Sequence, residues 1–411
     1  MGRTIRKLSA KPLFALLLVV PLATGCWDRL EIEERAVVLG ISVDVAEPGA
    51  AREKEDEVSH LGAYPPPEVD MIKVAAQIAL PGHIPLGPGE GGGANNDPGK
   101  AVWVVNVVGH TIDDAIMNLQ QQISGKLFFG HLRVIVVSEE VAKKGIQNLN
   151  DYLRRNPEVR RMAWLMISKG KAENLIRATP RLKRVPTLYL ISTLDDAVKQ
   201  GKFPRDYTGM FWSNVSKKGQ EGFLPYVEMM KEQNIEIKGM ALFRGDKMVG
   251  ATKPLEIAAY MLIKGLNPAG YRGMVRLTDS EDTVTINATH RASNIGLEIR
   301  NGHPHFRITA FSEINVEEKT SEAVTVATTD ILERIANENA QSLQKICEQL
   351  IRKSQKYGAD IFGFGEYVRA YQPQYWNRHV RTKEKWQQMY KDVTFEVRMS
   401  SFVRRIGMKA E

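Results

Sequence analysis

Hydrophobic positions change their spacing several times along the chain, and each change marks an element. Residues 36–45 (AVVLGISVDV) and 71–80 (MIKVAAQIAL) are β-branched-rich runs of strand length. Between them lies a polar stretch holding Glu53, Glu55, Asp56 and Glu57 and the triplet Pro65, Pro66 and Pro67. Residues 81–100 contain four prolines and seven glycines, so they have neither the apolar surface nor the backbone bias to fold alone. The spacing then predicts a strand over 102–108. It is followed by a helix opened by Thr111 and Asp114 as a capping box, with Ile112, Ala115, Ile116, Leu119 and Ile123 on one face. Gly125 ends that helix. A strand over 132–138, short helices over 139–155 that stop at Asn156 and Pro157, and a strand over 164–168 complete the run. Strand, helix, strand in this order predicts a mixed, partly parallel sheet with helices laid on it.

Residues 169–201 read as further helix, broken at Pro180 and Pro186. Residues 202–234 read as a less regular connector, with Pro204, Gly219, Gly222 and Pro225. A strand begins at Ile235 and turns at Gly245 and Asp246; Pro254 opens a short helix that Gly265 ends. Strands near 275, 284–292, 297–300 and 306–316 are spaced for hairpins. A long helix over about 321–357 follows, with Ile331, Ile335, Leu343, Ile346 and Leu350 as its apolar stripe, then two short helical segments and a strand over 393–403. The fold class this predicts is α+β and multi-domain. A mixed α/β N-terminal domain (26–201) and a connector (202–234) precede a C-terminal domain of antiparallel sheet plus long helix (235–411).

Composition changes little: 43% hydrophobic and 25% charged residues exclude a disordered, collagenous or polytopic membrane chain. Charge changes more. The formal +8 includes Arg3, Arg6, Lys7 and Lys11, which sit before the apolar run 13–20 in the layout of an export signal. The uncharged stretch from Pro12 to Trp27 contains Pro21 and falls short of the ~20 apolar residues that span hydrocarbon. Without residues 1–25 the chain carries only +4. Three basic regions remain. Two are Arg154, Arg155, Arg160 and Arg161, and Arg181, Lys183 and Arg184; the third, 369–411, has ten Lys/Arg against four Asp/Glu, interleaved with Tyr371, Tyr375, Trp376, Trp386 and Tyr390. On an exported, membrane-tethered protein such regions fit anionic lipid headgroups or a partner's acidic loops better than nucleic acid.

Chemistry-bearing constellations are few. His303 and His305 flank a proline beside the turn pair Asn301 and Gly302, and no third ligand is placed by sequence, so a turn is the expected role. Asp195 with Asp196, Glu139 with Glu140, and Glu317 with Glu318 are adjacent in sequence and so point apart, which is wrong for acid/base work. No phosphate loop, nucleophile elbow or HExxH occurs. Cys347 has Leu343, Gln344, Leu350 and Ile351 as helical neighbours and reads as a packing thiol. No catalytic, metal or cofactor residue is expected.

Ala23, Thr24, Gly25 and Cys26 resemble the lipobox of bacterial lipoproteins, with alanine where leucine is commonest. The resemblance implies signal-peptidase recognition of Ala23, Thr24 and Gly25 and cleavage before Cys26. It also implies a thioether-linked diacylglycerol on Cys26 and a further acyl chain on the new amino terminus; buried chains contribute ~0.8 kcal/mol per CH₂. Three longer stretches together resemble one family, the Ger(x)C lipoproteins of spore germinant receptors. They are Gly25 to Ile32 (GCWDRLEI) running through Glu33 and Glu34 into the strand ending at Asp44; Phe129, Gly130 and His131 with the strand to Val137 and then Ser138, Glu139, Glu140 and Ala142; and Asp360 to Gly365 (DIFGFG) followed by Tyr375, Trp376, Trp386 and the closing strand. The resemblance spans essentially the whole chain. It implies a three-domain mixed α/β architecture and no enzymatic activity. It further implies location on the outer face of the spore inner membrane, integral-membrane A and B subunits as partners, and a role in nutrient-triggered germination. The alternative is an exported solute-binding lipoprotein that delivers a small ligand to a permease, although the second half of this chain does not repeat the first.

Cys26→Ala is expected to abolish radiolabelled palmitate incorporation and to shift the protein out of the membrane fraction; unchanged labelling and fractionation would remove the lipid reading.

Overall fold

A computed structural model describes residues 34–48, 70–80, 101–178, 183, 185–231, 233–277, 282–320, 326 and 328–406. Nine strands of these residues form one sheet. Its elements are β1 (Arg35–Val45), β2 (Ile72–Ala79), β3 (Val102–Gly109), β4 (Lys126–Phe128), β5 (Val134–Ser138), β6 (Trp164–Ser168), β7 (Phe223–Met229), β8 (Ile235–Arg244) and β9 (Lys247–Ala251). The order is β3-β2-β1-β5-β6-β7-β8-β9, with β4 beside the start of β1. The centre, β1, β5, β6 and β7, is parallel, and both flanks are antiparallel.

The central parallel strands β5 and β6 are apolar up to their closing serines because both sheet faces are covered. On β5, Ile135 and Val137 enter one core and Val134 and Val136 the other; on β6, Leu165 and Ile167 oppose Trp164 and Met166 in the same way. The first face carries α1 (Ile112–Gln122), α2 (Glu139–Lys144), α3 (Gln147–Arg155) and α6 (Thr208–Ser216). The second carries α4 (Ala172–Arg177) and α5 (Pro186–Lys199), through Leu175, Ile176, Leu190, Ile191 and Leu194. The expected cap is present: Thr111 Oγ1 accepts the Asp114 N–H at 3.2 Å, and Asp114 accepts from the His110 N–H at 2.7 Å.

A second sheet follows, β10 (Arg272–Arg276), β11 (Thr283–Arg300), β12 (His303–Lys319) and β13 (Thr394–Ile406), in that order. The two strands expected at 284–292 and 297–300 are one long strand, β11. β10, β11 and β12 pair antiparallel; the closing strand pairs parallel to β12. The reason lies in the connection. The chain leaves β12 and returns only after α8 (Thr329–Tyr357), α9 (Phe364–Tyr371) and α10 (Lys383–Met389), a crossover of the length that parallel neighbours need. Asn301 and Gly302, both at positive φ, make the tight β11–β12 turn.

Between the two sheets lies α7 (Pro254–Ile263), buried from Glu256 to Ile263. Its apolar side chains meet Met240 and Leu242 of β8, Phe306 and Ile308 of β12, and Leu343, Cys347 and Leu350 of α8 in one core. A helix apolar on every side after Glu256 fits only where it is enclosed. Residues 202–234, read as a connector, supply α6 and β7, and β7 to β9 extend the first sheet to Ala251.

Cys347 is fully buried in that core, its Sγ 3.9 Å from the Ala259 carbonyl, and burial pushes its thiol well above the ordinary range. It should resist iodoacetamide at pH 8 in the native protein and react fully in denaturant. Fast native alkylation at Cys347, mapped by mass spectrometry, would contradict this packing.

Candidate functional site

The DIFGFG stretch lies where the first sheet meets the C-terminal helices. Asp360, almost fully buried, follows α8 and caps the turn into α9: Oδ1 accepts the Gly363 N–H at 2.9 Å, and Oδ2 accepts the Gly365 N–H at 2.8 Å and Trp386 Nε1 at 3.0 Å. Those donors favour the carboxylate, but burial outweighs them and pushes its pKa up to about 6. The Asp360 carbonyl accepts the Glu221 N–H at 2.8 Å, so the turn is tied to the segment leading into β7. Glu221 is itself buried. It accepts the Gly245 N–H at 2.9 Å and Gln387 Nε2 at 2.5 Å and pairs with Lys383 at 3.0 Å; burial still raises its pKa. Lys383 also donates to the Val215 carbonyl at 2.6 Å.

Backbones touch at the same place. Gly219 donates to Glu366 Oε1 at 2.8 Å, and its carbonyl accepts the Glu366 N–H at 3.1 Å. A Cβ on Gly365 would stand 2.5 Å from Trp386 Nε1 and 2.6 Å from Gly219 Cα, too close for any side chain. A second clasp lies beside the residues that follow α7. Arg291 of β11 is buried and donates to the carbonyls of Gly201 and Pro268, each at 2.9 Å, and burial lowers its pKa to about 10. There a Cβ on Gly201 would lie 2.6 Å from the Gly270 nitrogen. Both clasps join backbone and charge across the seam; neither presents a nucleophile, an acid/base pair or converging metal ligands.

The other residues singled out by sequence are dispersed. Ala23, Thr24, Gly25 and Cys26, with residues 27–33, lie outside the described residues. His131 is exposed, with its ring edge-on to Phe128 at 5.9 Å, and Phe129 is buried with its N–H on Glu158 Oε2 at 2.9 Å. His305 Nδ1 is 2.7 Å from Thr394 Oγ1, and among the described residues no group of three or more His, Cys, Asp or Glu could hold a metal. Asp195 accepts from Trp164 Nε1 at 3.0 Å, whereas Asp196 pairs with Lys199 at 3.2 Å. Trp376, Trp386 and Tyr390 belong to the core, and Arg369, Lys383, Arg398 and Arg404 are in ion pairs. The basic-aromatic C-terminal region thus divides: its tryptophans and Tyr390 are core and half of its described cations are paired, whereas Arg378, Arg381, Lys385, Lys391 and Tyr371 are exposed.

In an open α/β sheet ligands bind beyond the carboxyl ends of the parallel strands. A crevice of about 420 Å³ lies there, lined by Asp44, Lys73, Ser138, Glu139, Lys171 and Glu173 among others. Its polar groups serve each other. Asp44 accepts the N–H groups of Ala172 and Glu173 at 2.7 and 2.9 Å. Glu173 holds Lys73 and Asn106 at 2.6 Å and Arg177 at 2.5 Å; although burial opposes it, these donors depress its pKa to about 2. Glu139 accepts from Tyr226 at 2.5 Å and pairs with Lys143. Sequence reasoning missed the Glu221–Lys383 pair and the Arg291 clasp, because a single buried charge leaves no periodic signal.

Two outcomes follow at the seam. Gly365→Ala should lower stability by about 1–3 kcal/mol, the usual cost of overpacking, read as a fall in the thermal midpoint. Because the folded state holds the Asp360 proton more tightly than the unfolded chain, its contribution to stability declines as pH rises from about 4 to 6. Asp360→Asn should flatten that part of the midpoint-against-pH curve; an unchanged slope would show that Asp360 does not titrate there.

Comparison with known proteins covers both sides of the seam. The family model described as "Spore germination protein N-terminal domain" matches residues 28–229, and that described as "Spore germination B3/GerAC like, C-terminal" matches residues 238–407. Spore germination protein KC of Bacillus subtilis is 23% identical, over 96% of this chain and 95% of its own. Spore germination protein GerQC of Bacillus cereus is 25% identical, over 83% of this chain and 93% of its own. The crystal structure of the GerBC protein shares the fold at a TM-score of 0.53 and 18% identity, over 81% of this chain and 94% of that one. With nearly its whole length matched in this way, the chain belongs to the Ger(x)C family of spore germination proteins.

Proposed function

We infer that this protein is the lipid-anchored C subunit of a spore germinant receptor. It is held through Cys26 to the outer face of the spore inner membrane and assembles there with integral-membrane A and B subunits to support nutrient-triggered germination. The observation that carries this reading is the match of family models on both sides of the seam, 28–229 and 238–407. Two structural features support it. Among the described residues no helix is long and apolar enough to cross a membrane, so residence at a membrane falls to the predicted acyl anchor. The crevice at the carboxyl ends of the parallel strands has its charged groups engaged in internal pairs, which suits a body that docks better than one that captures a solute.

The subunit then works by binding and positioning, not by catalysis. Affinity purification of the tagged chain from spore membranes should bring down two membrane proteins, one of several spans and one resembling an amino-acid permease. The purified chain should show no saturable nutrient binding by calorimetry. Saturable binding by the isolated chain, without those co-purifying proteins, would instead establish the solute-binding alternative.

A further inference from the structure

The two edges of the first sheet differ in how their charges are used. At the carboxyl ends of β1, β5, β6 and β7 cations are paired: Lys73, Lys143, Lys144, Lys169, Lys171 and Arg177 each meet a carboxylate. The amino ends are built differently. Arg133 precedes β5, and its carbonyl accepts the Trp164 N–H at 2.8 Å, which places the start of β6 beside it. Arg154 and Arg155 end α3, which has returned the chain to this edge, and Arg160 and Arg161 lead into β6. The Arg161 and Ala163 carbonyls accept the N–H groups of Gly209 and Thr208 at 2.9 and 3.0 Å, so the α6 start, with Arg205 just ahead of it, joins the same rim.

All six arginines are exposed, and none pairs with a carboxylate among the described residues. Arg154 instead lies over the Trp212 ring at 5.9 Å. Of the nearby acids, Glu158 spends its carboxylate on the Phe129 N–H and Asp151 accepts from Gln147 Nε2 at 3.3 Å. Two large apolar side chains stand out among these charges, Met162 at 65% exposure and Met210 at 42%. Unpaired cations around exposed methionines match a surface that is anionic outside and apolar just beneath.

The position of the chain's entry decides what that surface is. β1 begins at this same edge, Arg35 pairing with Lys126 of β4, and Cys26 precedes Arg35 by nine residues. Nine residues reach at most ~30 Å. An acyl chain on Cys26 therefore keeps the amino-end rim within ~30 Å of the bilayer, while the paired, carboxyl-end rim lies at the far side of the sheet.

We propose that the arginine rim at the amino ends of β1, β5 and β6 rests on anionic lipid headgroups, with Met162 and Met210 entering the interface, and fixes the orientation of the anchored subunit. This rests on the lipid-anchored reading above, and the experiment separates the two. The acylated full chain is placed on vesicles carrying a headgroup nitroxide quencher, with a fluorescent probe on Met162→Cys or, at the opposite edge after β7, on Met230→Cys; Cys347 is buried and stays unlabelled. On vesicles containing phosphatidylglycerol, quenching at 162 should exceed that at 230 several-fold. The contrast should collapse in about 1 M salt, where the screening length is ~3 Å. It should collapse equally in the variant R154Q/R155Q/R160Q/R161Q, whose circular dichroism checks that it is folded.

Equal quenching at 162 and 230, or a contrast indifferent to salt and to the arginines, overturns the proposal. So does a contrast that arises only when the membrane subunits are present, since the rim would then meet an acidic protein surface. The anchor is read apart from this by flotation with neutral phosphatidylcholine vesicles. A chain that fails to float has no lipid, and the rim is then judged by salt-sensitive binding of the Cys26→Ser chain to phosphatidylglycerol vesicles.

Discussion

Two close approaches of backbone to backbone hold the sheets at one separation, and the rest of the structure depends on them. At Gly219 and Gly365, and again at Gly201 and Gly270, no Cβ can be accommodated. That leaves a gap between the sheets of one width, and α7 fills it with the apolar run from Ile257 to Ile263, its buried Glu256 paired with Lys353 at 2.5 Å. Polar groups lock each approach: buried Asp360 and Glu221 with partly buried Lys383 at the first, buried Arg291 at the second. Breaking one partner of such a set leaves the other buried and unsatisfied, which costs more than the pair itself contributes. The seam therefore specifies one arrangement of the two halves rather than adding much to net stability.

That fixed arrangement gives the molecule a polarity. The carboxyl-end edge of the parallel strands, where an α/β protein commonly holds a ligand, is closed on itself by Asp44 capping α4 and by the ion pairs around Glu173. The amino-end edge carries exposed arginines that no described carboxylate neutralises, next to the point where the chain enters β1. If the chain is anchored as proposed, the contrast between a self-paired edge and a basic edge would let electrostatics set its orientation.

Much of this was legible in the sequence, and the failures have identifiable causes. β5 and β6 show as unbroken apolar runs, α1 shows through Thr111 and Asp114, and the α8 stripe through Ile335, Leu343 and Leu350, because periodicity and capping are local. β7 was hidden. Pro225, Gly219 and Gly222 read as breakers, yet Pro225 lies one residue ahead of the β6–β7 ladder and Gly219 serves a close approach. The direction of β13 was equally illegible, since it follows from where the crossover helices deliver the chain. Trp386 and Tyr390 among lysines and arginines looked like a surface patch; the aromatics point to the core and many of the charges find acidic partners. Of the candidate site, the DIFGFG stretch was visible as a motif, but its partner Glu221, some 140 residues earlier in the chain, was not.

The most direct test is native-state hydrogen exchange at the seam amides, Gly219, Glu221, Gly365 and Glu366, against the core amides of β5 and β6. A seam that defines one rigid body predicts that all of them exchange only through global unfolding, with the same free energy. Exchange of the seam amides through a cheaper local opening, while β5 and β6 stay protected, would show two bodies on a hinge and contradict it.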